Sequence, residues 1–217
     1  LDSWTLWHEV GHNAAELPFA IDGAGEVANN LLGLYMQDKH QKKMKGVERN
    51  LRIVKDQIEA ETGHVWGAVG GGIRLLMFAQ LKIWAEKKFD INQWYTSLPS
   101  LYDTKDGMKG WNMFKLMHRL KRNQNDSAIQ LKGTNQCYGQ THLNVNDRLM
   151  LCASYAAQRD FTDFFSTWNA GSQANLVPGE TEPIYTGGIS DAGKAAVAGL
   201  NLTKSTLDPL TINSLVP

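Results

Sequence analysis

Apolar residues recur at helical spacing through the first three quarters of the chain. Trp4, Leu6, Trp7, Val10 and Gly11 open one stripe, and Pro18, Gly23 and Gly25 punctuate a turn before Val27, Leu31, Leu34 and Tyr35 resume it. This predicts two helices joined by a short loop. Residues 39–60 are charged and polar around the face, which predicts a solvated helix or a helical excursion. A glycine-rich break at Gly67 to Gly72 reads as a flexible turn. Ile73, Leu76, Met77, Leu81 and Trp84 then predict an amphipathic helix ending near Lys88. Further helices follow from Trp111, Phe114, Met117 and Leu120 and from the run Leu149 to Ala157, with a last packed element over Asp160 to Trp168.

From Asn169 the composition shifts to Gly, Pro, Ser, Thr and Asn. One short helix, Ser190 to Leu200 with Ser190 as its cap, is predicted there, and Glu182 to Thr186 reads as a short strand. The expected organisation is a mainly α body over residues 1–169 and an appendage over 170–217, with no role assigned to the tail from Leu176.

Two histidines give the chain its chemistry. In Trp7-His8-Glu9-Val10-Gly11-His12, His8 and His12 lie four apart on a helix and so project from one face, where both imidazoles can reach one metal ion. A zinc ion so held needs a third protein ligand and an open position at which water becomes acidic enough to deprotonate near neutral pH. Glu9 stands where the general base for that water belongs. After the loop, Gly25-Glu26-Val27-Ala28-Asn29-Asn30 puts an acid in the first turn of the next helix, and an antiparallel return would aim Glu26 at the histidine pair. Asn30, four residues on, shares its face and could orient a ligand. Glu16 and Asp22 are the competing carboxylates; Glu16 reads as a surface residue of the first helix. His40, His64, His118 and His142 are scattered and carry no role, and the seven tryptophans read mostly as core.

Charge narrows the partners. Lys+Arg and Asp+Glu both total 22 among 217 residues, so there is no basic field to hold a nucleic acid. No run of 18 apolar residues suggests a transmembrane segment. The chain opens at Leu1 without an initiator Met or an apolar leader and so reads as a piece of a longer protein. Cys137 and Cys152 exclude a thiolate zinc site, and they allow either one bridge, worth about 3 kcal/mol for a loop of this size, or two buried thiols.

The run Leu6-Trp7-His8-Glu9-Val10-Gly11-His12-Asn13, followed by Gly25-Glu26-Val27-Ala28-Asn29-Asn30 and Leu34-Tyr35, resembles the enhancin-like metallopeptidases. Arg74 to Leu81, Lys109 to Asn112, Leu149 to Ser154 and Phe164 to Trp168 are similar to a secreted, mucin-degrading subgroup of colonisation-factor lipoproteins. The resemblance covers 1–169 and implies a gluzincin: a helical zincin-type catalytic subdomain, the C-terminal part of a larger peptidase domain, followed by an irregular Gly/Pro/Ser-rich tail. It further implies Zn2+ on His8, His12 and Glu26, Glu9 as base and acid, and cleavage of peptide bonds in O-glycosylated proteins such as mucins. The same resemblance implies a secreted or bacterial cell-surface location and a Cys137–Cys152 disulfide. The competing reading is a non-catalytic mucin- or glycan-binding adhesion module with a structural or vestigial zinc site.

Overall fold

The structure, a computed structural model, describes residues 3–41, 47–61 and 63–212. Ten helices are described: α1 (Trp4–Ala14), α2 (Gly25–Ala28), α3 (Asn30–Gln41), α4 (Val47–Ala60), α5 (Val65–Ala68), α6 (Gly71–Lys88), α7 (Trp111–Arg122), α8 (Val145–Ala157), α9 (Thr162–Trp168) and α10 (Asp191–Ala198). A single 3₁₀ turn spans Ile91–Trp94, and two short strands, β1 (Ser172–Asn175) and β2 (Ile184–Gly187), pair antiparallel in the register Ser172↔Gly187 to Asn175↔Ile184. The chain is mainly α, as its periodicity predicts.

The centre of the body is α6. Every residue from Leu75 to Ala85 is buried, so this helix is covered nearly all round rather than amphipathic as expected, with α2, α4 and α7 packed on it. Burying a helix on all sides obliges its polar residues to find partners. Gln80 accepts from Trp168 Nε1 at 3.0 Å and donates to the Pro209 carbonyl at 3.0 Å. Lys82 Nζ lies 2.7 Å from Asp38 Oδ2 and donates to the Gly107 carbonyl, while Asp38 also accepts from Trp111 Nε1 at 2.8 Å. One ion pair thereby fastens α3, α6 and α7; removing one partner of such a buried pair costs about 3–5 kcal/mol.

Three further expectations change. The second predicted helix is split: α2 ends at Ala28 and α3 begins at Asn30, with Asn29 between them. Helix α4 is not simply solvated, because Val54 and Ile58 are buried on the α6 side. Gly67 is not a turn residue but part of α5. A Cβ there would sit 2.9 Å from the Tyr185 ring, and the backbone N–H donates to Ser172 Oγ at 3.0 Å.

The tail docks on the body. Ser190 caps α10, accepting from Gly193 N–H, and donates to Asp147 Oδ2 on α8. Backbone bonds run from Asp160 N–H to Thr203 and from Ser205 N–H to Asp160. Val197, Leu207 and Ile212 are buried in the same core as the residues of α6 to α9. Strand β2 falls where Glu182 to Thr186 predicts it; β1, its partner, is not foreshadowed. Cys137 and Cys152 form a disulfide that ties the loop before α8 to that helix.

Candidate metal site

Helix α1 starts at Ser3, whose Oγ accepts from Leu6 N–H at 3.3 Å. It lies along α3 and buries little apart from Gly11. That glycine sets the separation: a Cβ on it would overlap the carbonyl oxygen of Asn29. With no side chain in the way, α1 settles onto the α2–α3 junction. The loop between α1 and α2 is pinned from behind by Asn146 of α8, which accepts from Asp22 N–H at 3.0 Å and donates to Asp22 Oδ2 at 3.0 Å. Trp66 Nε1 and Arg74 donate to the carbonyls of Asp22 and Gly23. This loop delivers Glu26 in the first turn of α2.

Atoms of His8, His12 and Glu26 that could ligate a metal ion consequently lie within 4.8 Å of one another. Glu26 Oε2 is 3.2 Å from His8 Nε2 and 3.7 Å from His12 Nε2. Asn30 Nδ2 donates to the Glu26 carbonyl at 2.7 Å, which turns its Oδ1 toward His8 Nδ1, 2.9 Å away. A proton on His8 Nδ1 would satisfy the Asn30 oxygen and leave Nε2, 3.2 Å from Glu26 Oε2, to bind a metal. His8 Nε2 and Glu26 Oε2 are thus close enough for one cation to take both. A cation resolves such a convergence, and two imidazoles with one carboxylate are the donor set that zinc takes while keeping a fourth position open. The residues present fit the ion.

The cluster is open to water, with the Glu26 side chain 73% and that of His12 41% exposed. Glu9 is exposed on the next face of α1, about 100° round from His8. The competing carboxylates are placed elsewhere. Glu16 lies beyond the end of α1, 2.8 Å from Arg122, and Asp22 is held by Asn146. Of the scattered histidines, His118 packs at a tilt against Phe19 with Glu16 Oε1 3.7 Å away, and burial lowers its pKa. His64 stacks on Tyr185.

Two residues of the site carry no sequence expectation. One is Gly11, whose role is a close approach between helices remote in sequence. The other is Asn29, fully buried, whose Nδ2 lies 3.0 Å from His12 Nε2 and 3.2 Å from His8 Nε2. The paired Asn29-Asn30 at the end of the Glu-Val turn is the available signal, but only one of the two is singled out by spacing.

The family "Peptidase M60, enhancin and enhancin-like" matches residues 1–169. Accessory colonization factor AcfD of Vibrio cholerae serotype O1 is 57% identical over 216 residues, covering 99% of this chain and 14% of that protein. YghJ of Escherichia coli O78:H11, a putative lipoprotein by name, is 47% identical over 218 residues with the same coverage. The chain thus spans about a seventh of the length of these relatives. Among solved structures, an IMPa metallopeptidase in complex with T-antigen superposes with a TM-score of 0.57 at 19% identity, over 94% of this chain and 23% of that one. A functionally unknown conserved protein from Bacillus anthracis gives 0.52 at 20% identity, over 95% of this chain and 32% of that one. At these identities the likeness is one of fold. The match over 1–169 and the identity to AcfD and YghJ establish that the chain belongs to the enhancin and enhancin-like M60 peptidase family.

Proposed function

We propose that this chain carries the zinc site of a peptidase that hydrolyses peptide bonds in extracellular O-glycosylated proteins such as mucins. The observation that carries the reading is the convergence of His8 Nε2, His12 Nε2 and Glu26 Oε2, three metal-ligating atoms within 4.8 Å on a solvent-open face. Bound there, zinc supplies Lewis acidity, making water acidic near neutral pH and polarising a carbonyl. His8 and His12 present Nε2, Glu26 presents a carboxylate oxygen, and Asn30 holds His8 in the tautomer that frees that nitrogen. Glu9 accepts the proton of the attacking water on a carboxylate oxygen and returns it to the leaving amine.

In this reading residues 1–169 form a helical zincin-type catalytic subdomain, the C-terminal part of a larger gluzincin-like peptidase domain, and residues 170–217 are its appendage. The T-antigen held in the IMPa complex supports a glycoprotein substrate, and the names of AcfD and YghJ support a secreted or bacterial surface location. No helix among the described residues is long and apolar enough to cross a membrane.

Glu9→Gln tests the mechanism. It is expected to abolish mucin cleavage while zinc content and mucin binding stay near wild type. If the wild-type protein binds mucin, retains zinc and never cleaves, the adhesion-module reading replaces this one.

A further inference from the structure

We propose that the cleft between the C-terminal end of α6 and the docked tail is a binding site for a carboxylate group, received by the indole N–H of Trp84 and the ammonium groups of Lys87 and Lys88. No residue of the candidate metal site takes part in it.

The atom that points to a ligand is Trp84 Nε1. Trp84 is 3% exposed, and its indole nitrogen is buried with no hydrogen-bond acceptor among the described residues. A buried donor left unpaired is costly, and each one in a folded chain calls for a reason. Gln80 gives the contrast. It lies one turn earlier on the same face of α6, and its amide is satisfied on both sides, accepting from Trp168 and donating to the Pro209 carbonyl. The tail that supplies this carbonyl also passes Trp84 but gives the indole no acceptor.

Between tail and helix lies a cleft of about 190 Å³, walled by Trp84, Lys87 and Lys88 of α6 and by Thr206, Thr211 and Ile212 of the tail. Asp208 also lines it, with Oδ1 accepting Leu210 N–H at 2.9 Å. Trp84 and Ile212 are buried and form an apolar floor, while the lysines, threonines and Asp208 are exposed around it. Two ammonium groups against one carboxylate leave the rim with a positive charge to match. Lysines in the last turn of a helix also complement its dipole, so by themselves they specify no ligand. The buried N–H does, because its acceptor has to come from outside the chain. A water molecule meets that need alone, whereas an anionic oxygen meets the donor and the charge together. An apolar floor beneath a cationic rim fits a carboxylate carried on a short carbon frame, either an acidic side chain or a sugar acid.

Titration of the 217-residue chain with acetate, N-acetylglutamate and glucuronate at constant ionic strength tests this, followed by nitrogen-15 NMR of the indole groups, with glucose as the neutral control. Trp84→Phe keeps an aromatic ring against Phe161 and identifies the Trp84 signal by its loss. The expected result is a saturable downfield movement of that one indole proton with the carboxylates and none with glucose. The tighter binder of N-acetylglutamate and glucuronate tells an acidic side chain from a sugar acid. Lys87→Gln combined with Lys88→Gln should bind about fivefold more weakly. A Trp84 signal unmoved by every carboxylate, an equal response to glucose, or unchanged affinity in the double lysine variant would overturn the proposal. So would an upfield indole proton in the free chain, which would place the N–H against the face of the Phe161 ring instead of in the cleft.

Discussion

The backbone of α1 at Gly11 lies so close to the Asn29 carbonyl that a single added carbon would overlap the oxygen. The contact joins the helix that bears both histidines to the turn that bears the third candidate ligand. Gly11→Ala is therefore expected to force α1 away from the α2–α3 junction. Overpacking of this kind costs about 1–3 kcal/mol, and the spread of the ligand atoms should abolish tight zinc binding. Denaturant unfolding and a zinc titration would check it. Gly25→Ala is the comparison, since nothing lies within 4 Å of a Cβ there, and it is expected to be neutral or slightly stabilising.

Asn30 and His8 form the other fixed relationship, 2.9 Å apart with Asn30 anchored on the Glu26 carbonyl. Asn30→Ala should leave the fold intact and lower zinc affinity about 10–100-fold, the usual effect of removing the partner that orients a ligating imidazole. Competition against a chromophoric chelator would measure it. An unchanged affinity would remove Asn30 from the site.

Burial among the aromatic side chains lowers the pKa of His118, an effect that the nearby Glu16 carboxylate opposes and Arg122 reinforces. The unfolded chain takes up a proton at this position that the folded chain resists. Stability from this group is thus complete above the unfolded value of about 6.5 and declines as the pH falls from there through the lower folded value. The pH dependence of unfolding should show this decline in the wild type and less of it in His118→Phe, a change that retains the packing against Phe19.

The helices and the histidine pair are legible in the sequence because both follow from a period of 3.6 residues. The spacing of His8 and His12 fixes their shared face whatever else the chain does. Glu26 can be reached from its place in the first turn of the next helix. Gly11 and Asn29 cannot, because a close approach and a buried donor depend on where two helices meet, which spacing does not encode. The burial of α6 from Leu75 to Ala85 is hidden for a related reason. Gln80 and Lys82 look like a solvent face until Trp168, Pro209 and Asp38 are known to satisfy them. Strand β1 has the sequence Ser-Gln-Ala-Asn, without alternation or β-branched residues, and exists through its pairing with β2. The docking of the tail likewise turns on Asp147, a buried acid on α8 whose partner Ser190 lies 43 residues away.

The most direct test of the account is the zinc content of the purified chain after loading and removal of free metal, with Glu26→Ala and His12→Ala treated alike. The account predicts about one tightly held zinc per wild-type chain and its loss in both variants. Wild type without zinc, or variants that keep as much as wild type, would contradict it.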